Sequence, residues 1–373
     1  MGLREILFVQ IRELLLSECI DIKSSLGDYT IEVCDQQRIF SIEDHDSHFY
    51  LLDSIVADLY YGSSLRHSHI HKLEASEKNK TLLFVMEVIE WLRNAGATRQ
   101  SKLVVVGGGV VQDVGTMAAS LYMRGIDWCL VPTTLLSMVD SCIGGKSSIN
   151  VGAYKNIAGN FYPPSEIKIY PRYCDTLDDK KRLEGVCEAL KIFYASDPDE
   201  FTKEFLGFPP NHWLQTDNLS GLIYRSLERK KVIIEADEFD NGERLLLNFG
   251  HTFGHAIEAA SNYTMPHGVA VGLGMMLAVD YMGSTNTSDN AISLRQFIKS
   301  LLSLDQSIAE DIKAVDPERA CQAFESDKKH ELDAYRLIVP DGNKGCLKIV
   351  KINKTAIRRN TIKIIFEGMV DLL

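Results

Sequence analysis

The sequence predicts an α/β N-terminal domain with a mostly parallel sheet, residues 1–175, and a mostly α-helical C-terminal domain, residues 176–373. Between residues 101 and 170, short β-branched runs alternate with helical patterns, the order that builds parallel sheets. From Lys180 onward the apolar spacing turns helical. A chain of 373 residues is also long enough for two domains, each with its own core.

Thr30–Val33 reads as a short strand, and Leu51–Ala57 as the opening of a helix. His67, His69 and His71 would share a face if extended, but no acid or thiolate joins them at ligand spacing, so a solvated loop is the better reading. Thr81–Trp91 is an apolar-periodic helix. Ser101–Val106 is a buried strand that ends on Gly107-Gly108-Gly109, followed by a helix over Val110–Ser120. Strand, glycines and helix in that order bring backbone N–H groups close to a phosphate. The spacing is not that of the ordinary dinucleotide fingerprint, and a plain tight turn is an equal alternative. Trp128–Val131 forms the next strand and delivers the hydroxyls of Thr133 and Thr134 to its C-terminal end, where such sheets bind ligands. Lys146, beside Gly144 and Gly145, is either an anion site or a surface lysine. Asn160–Pro164 reads as a rigid connector and Ile167–Tyr170 as the strand that closes the sheet, with the domain boundary near Pro171–Asp178.

In the second domain, a helix over Lys180–Tyr194 sets Glu188 and Lys191 three residues apart on one face. A helix over Leu219–Ala236 carries Lys230. Arg244, Asn248, His251 and His255 then recur at intervals of four, three and four, one stripe of a helix. Burying such a stripe unpaired would cost about a few kcal/mol per group, so it faces solvent, a partner or a ligand. His251 and His255 lie one turn apart, and His267 follows. Two imidazoles and a carboxylate are the donors that hold a catalytic zinc with one position open. A His-x3-His pair by itself more often sits on a polar helix face. The Met-rich helix Val269–Met282 is core packing. Tyr335–Val339 and Cys346–Val350 flank a hairpin signal at Asp341–Gly345.

A net charge of −11 argues against a nucleic-acid partner or an anionic membrane surface, so clustered cations at a site would be local and purposeful. The eight cysteines are scattered without Cys-x-x-Cys spacing and read as buried, reduced residues of a cytoplasmic protein. Arg4, Glu5, Arg12 and Glu13 interrupt any secretory signal, and no apolar run reaches membrane-spanning length.

Several stretches, taken in order, resemble the 3-dehydroquinate synthase family of sugar-phosphate cyclases. They are Gly107–Asp113, Tyr122–Gly125, Pro132–Leu136, Val139–Lys146, Lys155-Asn156, Glu188–Lys191, Arg244–His255 and His267-Gly268. The resemblance covers roughly residues 75–330 and is loose over the first seventy. It implies an N-terminal NAD-binding α/β domain, a helical C-terminal domain, and a divalent metal, Zn2+ or Co2+, in the cleft between. Carried over residue by residue, Glu188, His251 and His267 would ligate the metal, leaving His255 either behind the ligands or facing substrate, and not a ligand. NAD would be held by Gly108, Gly109, Val110, Asp113, Thr133, Thr134, Asp140, Lys155, Thr176, Leu177, Glu77 and Lys80, with Asp53 on a ribose. The substrate set would be Asp140, Lys146, Asn156, Lys191, Lys230, Arg244, Asn248, His255 and a lysine of Lys328-Lys329. Arg124 would reach a neighbouring subunit's site, implying a homodimer.

The family substrate, 3-deoxy-D-arabino-heptulosonate 7-phosphate, carries a phosphate and a carboxylate, which suits converging cations in an acidic protein. The implied chemistry is transient oxidation by NAD, phosphate elimination, return of the hydride, and ring opening and closure to 3-dehydroquinate. Val269 stands where the family usually has Glu, Tyr154 where it has Gly, and Ser147-Ser148 where it has Thr-Gly. Those departures keep open a sister cyclase acting on sedoheptulose 7-phosphate or an amino analogue; retention of Lys230, Arg244, Asn248 and His255 favours the first reading. A glycerol dehydrogenase-like oxidoreductase would accumulate NADH, and a degenerate binding protein would not turn over.

Overall fold

The computed structural model describes residues 18–34, 37–43, 45–62, 69–152, 154–283, 287–327, 330–342 and 345–373. The chain divides into two compact units. The first comprises Met1–Leu177 with Ile223–Lys231, and the second Asp178–Leu222 with Val232–Leu373. The return of residues 223–231 to the first unit is invisible in helical periodicity, because the helix Thr216–Ala236 runs through that stretch without a break.

The first unit is built on a seven-stranded sheet. Its strands are β1 (Glu18–Ile22), β2 (Tyr29–Val33), β3 (His48–Asp53), β4 (Ile70–Leu73), β5 (Lys102–Gly107), β6 (Asp127–Pro132) and, after a separate hairpin, β9 (Glu166–Ile169). Their order is β1-β2-β9-β6-β5-β3-β4, parallel throughout except for the β1–β2 pair. Two expectations need correction. Residues 48–53 are a strand; the helical turns begin at Ser54, with Asp53 as N-cap, and run on through Ala57–Tyr61. An inner parallel strand is apolar on both faces, so Phe49–Leu52 lacks the alternation that separates strand from helix. The β9 strand does not close the sheet; it lies between β2 and β6.

Helix α1 (Leu82–Asn94) follows β4, and α2 (Gly109–Leu121) follows β5. Gly108 caps α2, which leaves the first-turn amides pointing off the C-terminal end of β5. Register pairs Leu52 with Val106 and Gly107 with Pro132, so Asp53, Gly108 and Thr133 emerge side by side from three adjacent strands. The hairpin expected as loop and connector is β7 (Lys146–Val151) paired antiparallel with β8 (Tyr154–Phe161). Lys146 therefore opens a strand, and Asn160-Phe161 end one. His71, expected in a solvated loop, lies in β4 with its ring stacked on Trp91; His67 falls outside the described residues.

The second unit is helical: α3 (Asp179–Ser196), α4 (Pro198–Phe205), α5 (Thr216–Ala236, in part), α6 (His251–Ala260), α7 (His267–Met282), α8 (Asp289–Leu302), α9 (Gln306–Lys313), α10 (Pro317–Glu325) and α11 (Ala356–Glu367), with a hairpin of β10 (Ala334–Pro340) and β11 (Leu347–Asn353). Helix α7 is the centre, buried continuously from Gly268 to Val279 and packed by α3, α6 and α8. Approach is close enough that a Cβ on Gly268 would sit 2.2 Å from the Glu184 carbonyl oxygen of α3. Gly250 adopts φ 79°, and a Cβ there would meet the Val271 carbonyl at 2.6 Å. Six of the eight cysteines are buried, whereas Cys19 and Cys346 are exposed, against expectation. Among the described residues no helix is long and apolar enough to cross a membrane.

Candidate active site

In the second unit, α3, α6 and α7 bring Glu188, His251 and His267 together. Their ligand atoms all lie within 4.8 Å of one another. Glu188 is 1% exposed and Lys191 2%; they form a buried ion pair one helical turn apart. His267 presents Nε2 3.5 Å from Glu188 Oε1, and its ring centroid is 5.3 Å from that of His251. The Nδ1 of His251 lies 3.3 Å from the Phe249 carbonyl, which can only accept, so Nδ1 is the nitrogen that donates there. Partial burial alone would lower the His267 pKa, but the carboxylates of Glu258 and Glu188 outweigh it and hold the imidazole at about 9.

The stripe Arg244–His255 is not one continuous helix. Glu243–Asn248 is 3₁₀, and the chain turns at left-handed Gly250 before α6 begins. Two of the four groups bond local backbone. Arg244 is buried with its guanidinium on the Glu238 carbonyl, and Asn248 Nδ2 donates to the Leu245 carbonyl at 3.1 Å. The other two stay on the histidine cluster: the His255 ring centroid is 6.0 Å from that of His267, and its Nδ1 is 3.4 Å from Asp327 Oδ2. Lys328 and Lys329, which follow directly, lie outside the described residues. Glu258 escaped the sequence reading. It stands seven residues after His251 and three after His255, on the same face of α6, and its Oε2 is 3.1 Å from His267 Nδ1.

In the first unit, Lys80 Nζ is 2.6 Å from Asp113 Oδ2 and donates to Asn156 Oδ1 at 2.7 Å. Ser148 joins both, its backbone N–H to Asp113 and its hydroxyl to Asn156. Asn150 ties in Glu77, donating to Oε1 at 2.8 Å, and accepts from the Asn156 N–H. Burial pushes the Asp113 carboxyl above its ordinary pKa, against the pull of Lys80. Asp53 is likewise raised by burial, while the amides of Ile55 and Val56 oppose the shift. A second cluster pairs buried Lys230 with Asp140, with the Ile143 carbonyl 3.4 Å away. Thr134 bonds Ser137, Thr176 bonds Tyr60 at 3.0 Å, and the Leu177 N–H donates to the Cys174 carbonyl. Val110 and Lys155 are half-buried, and Lys146 and Arg124 are exposed.

Residues 70–184 match the 3-dehydroquinate synthase N-terminal family and residues 185–330 the C-terminal family. The chain is 34% identical over 328 residues to the 3-dehydroquinate synthase of Dictyoglomus turgidum, covering 87% of this chain and 90% of that one. Among solved structures it superposes on a 2-deoxy-scyllo-inosose synthase complexed with carbaglucose-6-phosphate, NAD+ and Co2+, with TM-score 0.79, 23% identity, and 94% and 99% of the two chains covered. A 2-epi-5-epi-valiolone synthase from Streptomyces hygroscopicus subsp. jinggangensis, with NAD+ and Zn2+ bound, gives TM-score 0.71 and 23% identity over 87% of this chain and 91% of that one. Sequence relatives and fold together define an enzyme of the sugar-phosphate cyclase class, an α/β unit joined to a helical one. Within that class, the chain belongs to the 3-dehydroquinate synthase family.

Proposed function

We propose that the protein converts 3-deoxy-D-arabino-heptulosonate 7-phosphate to 3-dehydroquinate and phosphate in the cytoplasm, using catalytic NAD and a divalent metal, Zn2+ or Co2+. The observation that carries this reading is the convergence of Glu188, His251 and His267 beside buried Lys191. One carboxylate and two imidazoles, each with Nδ1 directed at an acceptor, fit a zinc-like ion and would leave a coordination position for a substrate oxygen. Bound in these units, NAD would take and return a hydride while the ion polarised the oxygen on the carbon being oxidised.

The chain's own residues supply placement and charge. First-turn amides at Gly109 and Val110, capped by Gly108, suit a pyrophosphate, and Asp53 at the end of β3 suits a ribose. Thr133, Thr134, Glu77, Lys80, Asp113, Asp140, Lys155, Thr176 and Leu177 complete the proposed cofactor contacts. Lys146, Lys230, Arg244 and Lys328 would neutralise phosphate and carboxylate, with Asn156 and Asn248 adding neutral hydrogen bonds. Lys191 Nζ, already held by Glu188, would donate to a substrate oxygen at the metal. His255, with Nδ1 turned to Asp327, would exchange a proton with substrate through Nε2.

The protein would act as a homodimer, with Arg124 reaching the neighbouring site. Met123 and Arg124 both adopt positive φ, 49° and 69°, a strained pair of the kind found where a loop is held for function. Exposed Leu83, Tyr154 and Ile157 provide apolar surface for a subunit contact.

Purified protein supplied with NAD and zinc is expected to release phosphate from the heptulosonate phosphate without net accumulation of NADH. A second reading, a cyclase for sedoheptulose 7-phosphate or an amino analogue, is favoured by Val269 and Ser147-Ser148. Turnover of sedoheptulose 7-phosphate alone would establish it in place of the first. Stoichiometric NADH would instead indicate a simple dehydrogenase.

A further inference from the structure

We propose that Glu258 is a positioning residue for the metal centre, acting through His267. This inference rests on the metal assignment above but concerns a residue outside the ligand set. Glu258 is 8% exposed, and its Oε2 lies 3.1 Å from His267 Nδ1. A carboxylate can accept only, so the imidazole donates from Nδ1, and Nε2 is the nitrogen whose lone pair a cation would take in place of a proton. That lone pair is the one directed at the cluster, because Nε2 is the nitrogen facing Glu188 Oε1 at 3.5 Å. A neutral imidazole free to rotate or change tautomer would present an N–H to the ion for part of the time. Glu258 removes that freedom, and its negative charge strengthens the imidazole as a donor.

The local fold makes the contact specific. His251, His255 and Glu258 share one face of α6, and α6 packs against α7, which begins at His267. A single helical face thus supplies a ligand for the ion, a proton-exchanging imidazole and a support for the ligand on the next helix. His255, Glu258 and His267 also place ligand atoms within 4.8 Å of one another, so direct ligation by Glu258 is the arrangement the experiment must separate from support through His267.

The test compares wild type with Glu258→Gln and Glu258→Ala, each stripped of metal. Zn2+ affinity is read by competition with a chromophoric chelator, thermal unfolding is followed without metal, and visible spectra are recorded with Co2+. Gln keeps an acceptor oxygen without the charge, and Ala removes both. Loss of such an outer carboxylate lowers metal affinity by about 10–100-fold, so Ala is expected at the upper end of that range and Gln at the lower. The metal-free Tm of Glu258→Gln should match wild type, and its Co2+ spectrum should keep the wild-type coordination pattern. Zn2+ affinity of both variants within about twofold of wild type, against the expected loss, would overturn the proposal. So would an affinity loss in Ala alone that merely tracks a lower metal-free Tm, or a Co2+ spectrum in Gln showing a changed coordination number. Failure of the wild type to bind Zn2+ would instead sink the metal assignment itself, a result distinct from any variant outcome.

Discussion

Lys191 and Glu188 neutralise one another in a place that excludes water, with side chains 3% and 2% exposed. Removing one member of such a pair strands the other charge, at a cost of about 3–5 kcal/mol. Lys191→Met should therefore lower the Tm of the metal-free protein by about 6–20 °C, given about 2–4 °C per kcal/mol for a unit of this size. A divalent ion on Glu188 replaces the missing positive charge, so added Zn2+ should recover part of the loss while turnover stays abolished. Equal Tm deficits with and without Zn2+, measured by thermal unfolding, would show that the ion does not sit on Glu188. Lys230 offers the complementary case in the other unit, with its ammonium on Asp140. Each charge-assisted bond to a phosphate contributes about 1.5–3 kcal/mol, so Lys230→Ala should raise the KM for the sugar phosphate about 10–100-fold. NAD affinity, titrated in the absence of substrate, should change far less. Glu188, His251 and His267 were singled out as a set by the family resemblance, since spacing alone pairs His251 with His255. Glu258 was not, since a glutamate on an amphipathic helix is unremarkable until the fold brings a histidine nine residues downstream back against it.

At the level of elements, glycine decides how near the ligand-bearing helices can come. Gly268 follows His267 directly and lets α7 rest on the α3 backbone, the same helix that carries Glu188. Gly268→Ala puts a methyl 2.2 Å from the Glu184 carbonyl oxygen, and backbone cannot yield as a side chain can. Overpacking of this kind costs about 1–3 kcal/mol, or about 2–12 °C in Tm for a unit of this size. Zn2+ affinity should fall with it, because the displaced residue adjoins a ligand. Gly207→Ala, where a Cβ would have nothing within 4 Å, is the control and should leave affinity unchanged. The strand–glycine–helix passage through β5 and α2 was legible because a β-branched run and a helical pattern flank the glycines in order. The β7–β8 hairpin was not: its half-exposed strands lack a clean alternation, and its turn sits among residues that also suit a loop. The Arg244–His255 stripe misled for a different reason, since spacing alone cannot report the left-handed turn at Gly250 that breaks the helix.

At the scale of the whole molecule, strand–helix alternation and the later helical periodicity together conveyed the two-unit plan, but neither carries information on how copies of the chain combine. The proposed homodimer gives Arg124 a role that no single chain can test. Its exposed side chain and left-handed backbone make it a poor candidate for a merely structural residue. Arg124→Ala and His251→Ala should each be inactive as purified homodimers, the first lacking the cation supplied across the interface and the second lacking a metal ligand. In a hybrid dimer of the two, the Arg124→Ala subunit keeps its own metal ligands and receives a native Arg124 from its partner, so one site of the pair is whole. Random reassortment makes about half of the dimers hybrid, each with one working site of two, so activity should return to about one quarter of wild type. Mixing after reversible unfolding, or co-expression with two affinity tags to isolate the hybrids, reads this directly from phosphate release. An Arg124 that served its own chain's site would leave the mixture as inactive as its components, and an Arg124 without a catalytic part would leave the single variant active before any mixing.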